Sequence, residues 1–197
     1  SSSRKVTMDL TFTLADLTAT STCELRLYTK LQERAQKQSA HPTPEKSERA
    51  HEAYRECLRA LTEGGMVGGE HASGTARPVP LVATSAAGLT YTVELDRLER
   101  PTANSVARIV CTPHLGEAAH RALLRGALAA HLLTADATES ATESAKNAVR
   151  LDLCLEHGTE PESEHTEHSS PTGQPHRVDS ARILPLIRLQ EQRLLSL

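Results

Sequence analysis

At 197 residues and a formal charge of −3, the chain has room for one well-buried domain plus extensions, because domains run to about 100–200 residues. Hydrophobic residues make up 38% and aromatics only 2%, so the core must be built from leucine, valine, isoleucine and alanine, and platforms for stacking single-stranded nucleic acid are scarce. The acidic balance argues against a broad basic footprint, and no apolar run is long enough to span a membrane.

Basic residues are mostly arginine, which favours planar, bidentate contacts at interfaces; Lys5, Lys30, Lys37, Lys46 and Lys146 are the exceptions. Cys23, Cys57, Cys111 and Cys154 lie far apart without the paired spacing of a zinc site or disulfide framework. They read as free thiols of a reducing compartment, mitochondrial matrix or cytoplasm. A start at Ser1 without methionine fits a fragment, or a chain left after removal of a presequence.

Val6, Met8, Leu10, Phe12 and Leu14 alternate with polar residues, which predicts a strand with a threonine-rich outer face. Ser21 and Glu24 form a capping box that opens a helix with Leu27, Tyr28, Leu31 and Ala35 on one side. After a break at 39–43, Pro44 restarts a helix whose stripe is Ala50, Tyr54, Cys57, Leu58 and Leu61, ended by Gly64 and Gly65. Residues 21–63 thus read as an amphipathic helical hairpin, and 64–78 as a glycine-rich loop. The loop lacks the Lys and Ser or Thr of a phosphate-binding turn, since Glu70 and His71 follow its last glycine.

The sheet and main helix are expected over 79–155. Val79 to Thr84 and Leu89 to Leu95 read as strands, the first at an edge because of Pro78 and Pro80. Val106 to Cys111 is a third strand, with Thr112 as cap and Pro113 as first residue of a long apolar helix reaching Leu133. Gly126 among so many alanines predicts close approach to a sheet or second helix. Ala-Thr-Glu-Ser is written twice at 137–144, and Val149 to Leu155 is the last confident strand. Residues 156–178 are an acidic, histidine-rich insertion. Residues 179–197 form an apolar docking segment, which Pro185 divides into an extended piece and a helix beginning near it.

These elements predict an α+β fold: a two-layer, mixed or antiparallel sheet covered on one face by helices, with an N-terminal helical hairpin and an apolar C-terminal segment. Residues 1–155 form the single domain.

The catalytic candidates are incomplete. Cys111 with His114 at a helix start suits a reactive thiol, but no arginine stands at the phosphatase-loop position, where Glu117 is, and no second cysteine is nearby. His114, Glu117 and His120 share a helical spacing without the zinc-protease pattern, and His157, His165, His168 and His176 among glutamates suit only weak cation binding. Arg121 and Arg125, with His120 alongside, form a basic ridge able to meet phosphate or an acidic partner.

The reading is therefore a non-catalytic structural or adaptor subunit of a large multiprotein or ribonucleoprotein assembly, with a peripheral protein of a mitochondrial ribosome as one instance. No catalytic residue, cofactor or metal ligand is assigned. Partner contacts are expected at Arg121, Arg125, Leu186, Ile187, Leu194 and Leu195, with other subunits meeting the hairpin and C-terminal segment and RNA contact limited. The alternatives are a nucleic-acid module on the Arg121/Arg125 ridge and a thiol enzyme centred on Cys111.

Overall fold

The computed structural model describes residues 10–38, 44–69, 77–139, 151–156 and 176–197, which form an α+β fold with helices packed on mixed sheets. Strand β1 (Thr11–Phe12) leads into α1 (Leu14–Ala19), α2 (Glu24–Gln38) and α3 (Pro44–Glu63). Strands β2 (Gly65–Gly68), β3 (Val79–Thr84), β4 (Thr90–Leu95), β5 (Arg97–Arg100) and β6 (Ala107–Cys111) follow. Then come α4 (Ala119–Glu139), β7 (Leu151–Leu155), β8 (His176–Asp179) and α5 (Ser180–Leu195). The order is β1-β4-β3 in one sheet and β2-β5-β6-β7-β8 in the other. The β1–β4 and β6–β7 pairs are parallel and the rest antiparallel.

Period-two patterning places the expected strands. Leu81 and Ala83 on β3, Tyr91, Val93 and Leu95 on β4, Ile109 on β6 and Leu153 on β7 are buried. Strand β3 is at an edge, where Pro80 breaks no ladder. The long helix α4 crosses β6 and β7 as the connection between these parallel strands. At the crossing a Cβ on Gly126 would collide with Cys111 Sγ and stand 3.5 Å from both Ile109 Cγ2 and Leu153 Cδ2, so this is the close approach its sequence context predicted.

Several expectations need correction. The first strand does not reach Leu14: Thr13 and Asp16 make a capping box, Thr13 N–H donating to Asp16 Oδ2 at 2.9 Å and Asp16 N–H to Thr13 Oγ1 at 3.4 Å, and α1 begins instead. The portion of that strand before Leu10 lies outside the described residues, as do the break at 39–43, the paired repeat from residue 140 and the insertion at 157–175. Helices α2 and α3 stand where the hairpin is expected, and the turn between them lies outside the described residues. Helix α3 buries Ala50, Tyr54, Cys57 and Leu61 and lies on β3 and β2, while α2 lies beside α1, tied by Arg34 to Asp16 at 2.7 Å.

Within the expected loop at 64–78, Gly65–Gly68 is strand β2, paired with β5. Gly68 has φ +78, and a Cβ there would stand 2.5 Å from the Asp96 carbonyl oxygen, so only glycine lets this edge strand pass the bend between β4 and β5. Strand β5 carries a single apolar residue, Leu98, and so shows no period in the sequence. Helix α4 starts at Ala119 and not at Pro113. The C-terminal segment is one helix from Ser180, capped by Asp179, whose Oδ1 accepts the Ala181 N–H at 3.0 Å. Pro185 falls in its second turn, exposed, where a missing N–H forfeits one helical bond without ending the helix. That helix packs on α4 and α1, so the apolar tail docks on its own domain through one face.

Candidate functional site

Asp96 stands at the bend between β4 and β5, where the alternation of both strands is interrupted and its side chain turns toward the end of β6. One carboxylate oxygen, Oδ2, accepts the Thr112 N–H at 3.0 Å and Arg125 Nη1–H at 2.7 Å; Oδ1 lies 3.0 Å from His114 Nε2. Arg125 reaches in from α4. Its Nη2 donates to Glu117 Oε1 at 2.8 Å and to the Thr112 carbonyl at 3.0 Å, and Nη1 also approaches the Glu94 carbonyl at 3.4 Å. A buried guanidinium needs partners in this number, because its charge cannot be neutralised by losing a proton. Burial weakens its charged state, but Glu117 and Asp96 more than compensate, and the net effect raises its pKa.

The network fixes the segment 112–118. Thr112 is held at both its N–H and its carbonyl, His114 by Asp96, and Glu117 by Arg125. Between the last two anchors the Glu117 N–H donates to the His114 carbonyl at 2.8 Å, closing a turn over Leu115 and Gly116. Gly116 has φ +77, which the third position of a type II turn requires. Leu115, at the tip, is 107% exposed, as open to solvent as in an extended peptide.

A second buried polar centre joins α5 to the core. Glu191 accepts from Tyr91 Oη at 2.7 Å and stands 3.2 Å from His131 Nε2. Burial opposes its charge, yet the hydrogen bonds from His131 and Tyr91 hold its pKa below the usual glutamate value. An ionised carboxylate only accepts, so His131 carries its proton on Nε2. Burial, with the bond to Glu191, pushes the Tyr91 hydroxyl well above its ordinary pKa.

The sequence-derived candidates divide. Arg121 is exposed on α4, but Arg125 is buried among carboxylates, so the two form no surface ridge; a helical wheel cannot see that one of its arginines has partners inside. Leu186 and Leu195 are exposed, whereas Ile187 and Leu194 are buried against the domain and unavailable to a partner. Cys111 is buried under α4, and burial first, then Asp96, pushes its thiol up to about 12, the opposite of what a nucleophile needs. His114 and Glu117 lie in the anchored loop and not on a helix face with His120. Among the described residues no group of three or more His, Cys, Asp and Glu side chains is placed to hold a metal ion, and no helix is long and apolar enough to cross a membrane.

No motif in the sequence marks Asp96, Glu191, His131, Tyr91 or Leu115 for the positions they take in these two centres. Only Asp96 leaves a trace, as the polar residue that ends the alternating run of Leu89 to Leu95. Comparison of the chain with protein-family models, with curated proteins and with solved structures found no match.

Proposed function

We propose that this chain is a non-catalytic structural or adaptor subunit of a larger assembly. The observation that carries the reading is the turn at Leu115: a partly buried ion-pair network centred on the buried Arg125 anchors a loop whose tip offers an apolar side chain to solvent. Among the described residues, Asp96, His114, Glu117, His131 and Glu191 are engaged in contacts that join elements of the fold. A fixed leucine costs little entropy to seat in a partner's pocket, which is how anchor residues contribute most of the energy at protein interfaces. Unpaired thiols on Cys23, Cys57, Cys111 and Cys154 suit a reducing compartment for such a subunit.

Sedimentation of native extracts containing the tagged full chain tests this. The wild-type chain is expected in heavy fractions, and Leu115→Asp in light ones, with the isolated variant melting at the wild-type temperature. A wild-type chain that sediments as a free monomer overturns the reading.

A further inference from the structure

Helix α5 turns one side inward and leaves a second apolar stripe outside. Leu184, Ile187, Glu191 and Leu194 are buried at spacings of three, four and three. On the other side, Arg182, Leu186, Leu189 and Arg193 follow at four, three and four, with Leu186 at 44% and Leu189 at 46% exposed. The exposed charges of α5 are Arg182, Arg188 and Arg193, all positive, in a chain whose net charge is −3; its only carboxylate side chain, Glu191, is inside. Arg182 stands in the first helical turn, where a cation opposes the helix dipole and lowers the stability of its own helix. Arg193 Nη1 reaches Ser21 Oγ at 3.3 Å, which brings this stripe to the foot of α2, where Leu25 is 76% exposed.

Resting on the adaptor reading, we propose that the stripe Arg182, Leu186, Leu189, Arg193 is the docking seam for an amphipathic helix of another protein whose apolar face is edged by aspartate and glutamate. Leucines spaced three apart accept apolar residues of a facing helix at matching spacing. The arginines at the two ends select the sign of its flanks. Pairing with a second copy is disfavoured by the same charges: in a two-fold antiparallel pair Arg182 faces Arg193 of the other copy at both ends, like charge against like.

The test titrates the full chain with two labelled synthetic helices of about twenty residues, a length at which isolated helices hold. They share one leucine seam and differ only in Glu or Lys at its flanks. The Glu helix is expected to bind at least about tenfold more tightly, and less tightly as salt rises. Leu186→Asp with Leu189→Asp removes binding, and Arg182→Glu with Arg193→Glu reverses the preference toward the Lys helix. Both pairs lie on the exposed side of α5, and a wild-type melting temperature for each verifies the fold. Equal affinity for the two helices, no binding of either, tighter binding of a single-stranded RNA oligomer, or self-association lost in the leucine variant each overturns the proposal. Such an outcome beside intact Leu115-dependent assembly removes the acidic helix alone; loss of that assembly as well removes the adaptor reading.

Discussion

Gly126 occupies the point where α4 meets β6, and its missing side chain is filled by the Cys111 thiol. Alanine there gains about 1 kcal/mol of helix propensity but must displace Sγ from a closed interior. Gly126→Ala is expected to destabilise by about 1–3 kcal/mol. Adding Cys111→Ala should recover much of this, a coupling of about 0.5–3 kcal/mol between touching residues. Urea unfolding of the two single variants and the double checks both statements, and strict additivity would show that the collision is relieved elsewhere. Arg125 is a second case at this scale. Arg125→Met removes the buried cation that joins Asp96 to Glu117, leaves both carboxylates without it, and is expected to cost about 3–5 kcal/mol, whereas Arg121→Met, at an exposed site on the same helix, should change stability by less than about 0.5 kcal/mol. The two arginines look equivalent in sequence and differ only in what α4 packs against.

Among the elements, α5 depends most on its inward polar contact. The Glu191 carboxylate is held below its usual pKa in the folded chain, so its contribution to stability is complete above the unfolded value, about 4.3, and fades as pH falls from there through the lower folded value. Comparing wild type with Glu191→Gln between about pH 3 and pH 7, the stability gap is expected to be widest at neutral pH and to narrow in acid; a gap that widens in acid contradicts the assignment. Pro185→Ala restores a backbone donor in the second turn and should stabilise α5 by about 1–3 kcal/mol, measured as a shift in the urea midpoint. Elements whose apolar residues repeat at a clean period, such as β3, β4, β6, α3 and the body of α4, were legible in the sequence. Strand β2 was hidden because glycine has no side chain to alternate, and β5 because Arg97, Glu99 and Arg100 left Leu98 as its only apolar residue. The start of α4 was misplaced because Thr112 and Pro113 satisfy the local rules for a cap and a first turn. Asp96 and Arg125, distant in sequence, outweigh them and keep 112–118 as loop. The site was unreadable for the same reason, since its members sit on β4's end, a turn and α4, and only tertiary packing assembles them.

Taken whole, the described domain is closed by α5. Leu184, Ile187 and Leu194 enter the same core as Leu17 and Leu133, and Glu191 enters among Tyr91 and His131. Removal of 180–197 leaves their partners open to water and a buried tyrosine and histidine without an acceptor. The truncated chain is expected to lose its cooperative thermal transition; a sharp melt near the wild-type midpoint would show that the core closes without α5. The bond between Tyr91 and Glu191 also spans 100 residues of chain, which sets an order in time. During synthesis the first sheet emerges long before the helix that satisfies its tyrosine, so β4 waits on the translating ribosome with a buried-type hydroxyl still hydrated. Until residue 194 has been made, the nascent domain cannot lock, and it stays longest within reach of chaperones and of any subunit able to engage it as it emerges.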